Sequence, residues 1–132
     1  MKYFKHILII IGFGIVIFLK PASVSAQDLP IRYATLELFT NTPCPICASQ
    51  NPGLFNRLAN YEGQYHLIGF YPGSPYSSCI FYQANIPQNS ARVQHYSGEI
   101  FGSPTVALNG IDFKSSSGVN TTVLDNLTGG TS

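Results

Sequence analysis

Apolar residues fall along this chain in blocks of two kinds, one strand-like and one helical. Tyr33-Ala34-Thr35-Leu36-Glu37-Leu38-Phe39-Thr40 is rich in β-forming residues, is ended by Asn41-Thr42-Pro43, and predicts a buried strand. From Cys44 the apolar positions Cys47, Leu54, Leu58 and Tyr61 recur at helical spacing, Phe55 widens the stripe, and Asn56, Arg57 and Asn60 fall opposite. That pattern predicts an amphipathic helix, with a kink where Pro52-Gly53 removes a backbone hydrogen bond. A second strand is expected over 65–71, closed by Pro72-Gly73-Ser74-Pro75 and followed by a long loop. Residues 84–96 predict a second helix whose start Pro87 marks. Asn109-Gly110 between the runs 105–108 and 111–114 is the strongest short signal for a β-hairpin. Val119, Val123, Leu124 and Leu127 share one face of a short closing helix. The order is therefore strand, helix, strand, helix, hairpin, helix. Its first half is a βαβ unit, whose strands are parallel.

The N-terminus breaks this pattern. Lys2 and Lys5 precede an apolar run from Ile7 to Leu19, then come Lys20 and Ser23-Val24-Ser25-Ala26. A run of this length is too short to cross about 30 Å of hydrocarbon as a helix. With Val24 and Ala26 as the small residues before the cut, residues 1–26 read as a secretory signal peptide removed before Gln27. An exported protein follows: periplasmic, outer-membrane-associated or secreted, touching a membrane only through the signal peptide before cleavage. Residues 27–128 form one domain, and Gly129-Gly130-Thr131-Ser132 resembles the start of a linker.

Composition narrows the function. Hydrophobic residues are 45% of the 132 and charged residues 10%, enough apolar material for one packed core. After residue 26, four basic groups (Arg32, Arg57, Arg92, Lys114) stand against six acidic ones (Asp28, Glu37, Glu62, Glu99, Asp112, Asp125). Nucleic acid, which needs a basic face, is not an expected partner.

The candidate chemistry lies in Cys44-Pro45-Ile46-Cys47, where the first strand meets the first helix. Unpaired N–H groups and the positive end of the helix dipole favour a thiolate there. Cys44, the outer cysteine, is the expected nucleophile; Cys47, three residues on, resolves the mixed disulfide. Pro45 suits a position whose N–H lacks a partner. A zinc site needs two more ligands, and Cys79, His66 and His95 do not stand at paired spacing, so no metal is expected. A permanent structural clip is the competing reading. Cys79 is left over: an extra resolving thiol, a thiol that locks Cys44 or Cys47 into a different bridge, or a half-buried thiol of no catalytic consequence.

The Cys-Pro-x-Cys after a strand, the helix proline at position 52, and Ser103-Pro104-Thr105 opening the third strand together resemble the thioredoxin superfamily. The resemblance is closest to exported thioredoxin-like proteins described as outer-membrane proteins. It rests there on Glu37-Leu38-Phe39-Thr40, Asn85-x-Pro87, Ala91-Arg92, Tyr96 and the Pro-Thr strand ending in Asn109-Gly110, and it covers residues 33–113. It implies an α/β thioredoxin-like fold with a central mixed sheet of about four strands flanked by helices, and a cis-proline, Pro104, before the third strand. It also makes Ser103 the residue that pairs with the substrate backbone. The implied function is thiol–disulfide exchange with protein thiols and disulfides as substrates, an unknown redox partner, and no cofactor. The chain departs from classical thioredoxins in having no Trp. Leu38 stands where those proteins carry a buried acid, and Glu37 faces the other side of the strand. These departures keep open a non-enzymatic binding or surface-display module whose Cys44–Cys47 bridge is structural.

Overall fold

The computed structural model describes residues 33–129. The expected signal peptide at 1–26 and most of the expected linker lie outside them. The chain runs through β1 (Ala34–Phe39), α1 (Pro45–Leu58) and a 3₁₀ turn (Ala59–Tyr61) into β2 (Tyr65–Phe70). Then come α2 (Ile80–Ala84), α3 (Ile86–His95), β3 (Thr105–Leu108), β4 (Asp112–Ser115), a second 3₁₀ turn (Ser116–Gly118) and α4 (Thr121–Thr128). This is an α/β arrangement around a four-stranded mixed sheet in the order β2-β1-β3-β4. β1 runs parallel to β2 and antiparallel to β3, and β3 pairs antiparallel with β4. No described helix is long and apolar enough to cross a membrane.

The central position of β1 explains its composition. A strand covered on both faces is apolar nearly throughout, and in β1 only Thr35 is more than slightly exposed. Ala34, Leu36 and Leu38 meet Leu54, Leu58 and Tyr61 of the α1 side, Val106 and Leu108 of β3, and Val119 and Leu124 around α4. Phe39 and Ala107 face the opposite way, against Tyr96 with Phe70, Val93, Ile100 and Phe113. Each fully buried leucine contributes about 1.5–3 kcal/mol. By contrast β2 is an edge strand, and its Leu67 and Ile68 stay exposed.

Local signals act where the sequence has them. α1 runs as one helix through Pro52. Pro87 stands in the first turn of α3, where its missing N–H costs nothing. At the hairpin, Asn109 and Gly110 have φ of 49° and 73°, and the Ile111 N–H donates to the Leu108 carbonyl at 3.1 Å. Positive φ at both central positions matches the strand twist and favours Asn-Gly. Asn109 also ties the turn to β1, its Oδ1 accepting from the Thr35 N–H at 2.8 Å. The Ser74–Pro75 and Ser103–Pro104 peptide bonds are cis.

Two expectations are corrected. Phe55 does not widen the buried stripe of α1; it is 46% exposed, because the core needs only the face carrying Cys47, Asn51, Leu54 and Leu58. The long loop after β2 is not structureless, since it contains α2. Asn89 organises that region: its Oδ1 accepts from the Tyr71 N–H, and its Nδ2 donates to the Phe81 and Asn85 carbonyls.

Candidate functional site

The site begins at the end of β1. Thr40 closes the ladder by donating its N–H to the Phe70 carbonyl at 2.9 Å. The Cys44 N–H then reaches the Asn41 carbonyl at 3.3 Å, which turns the chain into α1. Cys44 is the helix N-cap in extended conformation, with Pro45 in the first turn. Its Sγ accepts from the Cys47 N–H at 3.1 Å, the bond an oxygen cap usually takes. Cys44 and Cys47 lie at disulfide distance, their Cα atoms 5.2 Å apart, inside the range a disulfide requires.

Cys44 is not an outer residue in this state. It is 3% exposed and Cys47 is 2% exposed, so both cysteines offer little surface to an attacking thiolate. Beside the pair, Cys44 Sγ lies 3.5 Å from the Ser103 carbonyl oxygen. The sulfur has a hydrogen to donate there only as a free thiol. Ser103 thus lies beside Cys44 across a sequence distance of 59 residues. The Ser103 hydroxyl and the Asn41 Oδ1 are buried without a protein partner. A cavity of about 290 Å³ adjoins Ser103, walled by Ile46, Gln50, Phe101, Pro104 and Phe113. Phe101, 88% exposed, forms its outer lip.

Cys79 is fully buried rather than half-buried, and it is a free thiol paired with neither Cys44 nor Cys47. Its sulfur is 3.4 Å from the Thr42 hydroxyl, two residues before Cys44. Burial pushes this thiol up, but the Thr42 hydroxyl and the backbone of Thr42, Tyr82 and Phe81 outweigh it and hold it below the ordinary range. His66 lies exposed against the Tyr33 ring, and His95 packs on Tyr96. Among the described residues, no group of three or more His, Cys, Asp or Glu side chains gathers into a candidate metal site.

Sequence reasoning missed two buried polar clusters. Glu37, on the face of β1 away from α1, is gripped at both carboxylate oxygens by Arg92 and accepts from the Tyr96 hydroxyl at 3.0 Å. Burial pushes this carboxyl up; the Arg92 and Tyr96 hydrogen bonds and the Arg92 and His95 charges overcome that and hold it low. The spacing of Arg92 and Tyr96, four apart on one helix face, together with a lone Glu in an apolar strand, is the signal that was present. The second cluster joins Asn51 to Thr40 and Ser116, and no sequence pattern marks it. No protein-family model and no curated protein matches this chain.

Proposed function

We propose that this chain is an exported, thioredoxin-like thiol–disulfide oxidoreductase acting on protein cysteines, with Cys44 as nucleophile and Cys47 as resolving thiol. The observation that carries the reading is the Cys44–Cys47 pair at a strand-to-helix junction, with the Cys44 sulfur serving as helix cap. A capping sulfur receives an N–H bond and the positive end of the helix dipole, both of which favour its thiolate. The sheet order and the element sequence are compatible with a thioredoxin-like fold. In that fold Pro104 is the cis-proline and Ser103 the residue that meets the substrate backbone. Export rests on the sequence of residues 1–26.

In the reductive direction the Cys44 thiolate attacks one sulfur of a client disulfide. The client S–S bond breaks, a Cys44–client disulfide forms, and the first client sulfur leaves as a thiolate that takes up a proton. Cys47, deprotonated, attacks Cys44 Sγ and expels the second client thiolate. Two electrons pass from the cysteine pair to the client, and the Cys44–Cys47 disulfide is left; the reverse sequence oxidises a client dithiol. No step draws on a bound cofactor.

A Cys47→Ser variant is expected to accumulate mixed disulfides with client proteins, visible on non-reducing gels and lost on adding reductant. A correctly folded variant that traps none would overturn the mechanism. The near-complete burial of both cysteines favours a second reading, a binding or display module stapled by this bridge. The reduction potential separates the two: a staple lies below about −300 mV and an exchanging pair well above it.

A further inference from the structure

A buried amide is costly unless its donor and acceptor are both matched. Asn51 meets that demand at a particular place. It follows Cys47 by four residues in α1, on the same helix face, and is 9% exposed. Its Nδ2 donates to Thr40 Oγ1 at 2.9 Å, and its Oδ1 accepts from Ser116 Oγ at 2.7 Å. Thr40 is the residue from which the chain leaves β1 toward Cys44. Ser116 is fully buried in the 3₁₀ turn after β4. Arg57, farther along α1, fixes that same turn by donating to the Ser116 and Val119 carbonyls at 2.8 and 2.7 Å. One amide therefore ties the Cys47 face of the helix to the strand end that precedes Cys44 and to the turn beneath both.

Two cysteines three apart close a disulfide readily only if their backbone stays in place when the bond is open. The cap bond from the Cys47 N–H to Cys44 Sγ holds one side of that loop. The Asn51 bonds span from the helix body back to the strand, so they hold the other. Resting on the exchange reading above, we propose that Asn51 is a positioning residue: through Thr40 and Ser116 it keeps Cys47 in register with Cys44 in the dithiol. Without it the open form gains freedom that closure must remove again. The disulfide then becomes less favourable relative to the dithiol.

The full chain is equilibrated with mixtures of reduced and oxidised glutathione, and the fraction in the disulfide form is read by thiol alkylation. In this reaction the Cys44 and Cys47 thiols surrender two electrons and two protons to one oxidised glutathione, which leaves as two molecules of glutathione. Asn51→Ala is expected to lower the equilibrium constant for disulfide formation about three- to tenfold, the range of one or two hydrogen bonds. Ser116→Ala, which removes one of the two bonds, is expected to lower it less in the same direction, and it remains informative if Asn51→Ala does not fold. Leu124→Ala, buried in the core around α4, serves as the control. It should lower the melting temperature and leave the constant within twofold of the parent. A parent that opens and closes with glutathione while Asn51→Ala and Ser116→Ala stay within twofold of it would overturn the positioning role alone. A parent whose disulfide never exchanges would overturn the exchange reading, and the positioning role with it.

Discussion

On one face of β1, Leu36 and Leu38 pack against Leu54, Leu58 and Leu124, and the polar groups near the cysteines are neutral: Thr40, Asn51 and Ser116. On the other face Glu37 lies beside the Phe39 cluster and is held by Arg92 and Tyr96. Each face buries a hydrogen-bonded polar group, Asn51 with Thr40 and Ser116 on one and Glu37 with Arg92 and Tyr96 on the other. The difference is in what happens when one partner is lost. A neutral hydroxyl or amide left alone costs about 1–3 kcal/mol, whereas a carboxylate left alone in the interior costs more and responds to pH. The face that carries the cysteines therefore keeps its local field free of a buried ion pair, and the ion pair sits where it can pin α3 to the sheet.

The largest effect that would test this contrast is on the charged face. Arg92→Leu leaves Glu37 buried and unpaired and is expected to cost about 3 kcal/mol in urea unfolding. That is the low end for a buried pair, because the Arg92 side chain is 33% exposed against 5% for Glu37. The same variant should leave the glutathione equilibrium of the cysteines within twofold of the parent. A loss under about 1 kcal/mol would mean that the pair is effectively solvated.

The acid limb of stability should belong to the same face. The Glu37 carboxyl is held below its ordinary value of 4.5, so its contribution is complete above that value and is lost as pH falls through the lower folded value. Urea midpoints measured from neutral pH down to pH 3 are expected to fall in the parent. In Glu37→Gln, weaker at neutral pH, the decline should be shallower; parallel curves would assign the acid sensitivity elsewhere.

The smallest effect is on the neutral face. Asn120 caps α4, its Oδ1 accepting from the Val123 N–H at 3.0 Å. Asn120→Ala should cost about 1 kcal/mol with no change in pH dependence. A pH-dependent loss there would break the distinction between the faces.

What the sequence made legible follows the range of the interactions involved. The strand-to-helix junction at Cys44, the first turn of α3 at Pro87 and the Asn109-Gly110 turn are set by neighbours within a few residues, so their residue types announce them. The pairing of Glu37 with Arg92 spans 55 residues and that of Asn51 with Ser116 spans 65. Neither residue says alone where its partner is, and a single Glu in an apolar strand signals only that a partner is needed. Phe55 was misread for a related reason: helical spacing gives an angle around the axis, but α1 fills its inward face with Cys47, Asn51, Leu54 and Leu58, leaving no room for a wider stripe. Cys79 likewise meets Thr42, 37 residues away, a contact that its own neighbours in the chain do not announce.

The cysteine pair itself closes a very small ring of chain. Cys44 and Cys47 are three residues apart, and a cross-link over so short a loop removes only about 2 kcal/mol worth of freedom from the unfolded chain, where one from Cys44 to Cys79 would remove about 4. As scaffolding it is a weak choice when a longer span was within the same sequence. As something to be undone it is a good one: most of what keeps the domain folded lies in the two packed faces of β1, so the bond can be opened without the molecule depending on it to stay intact.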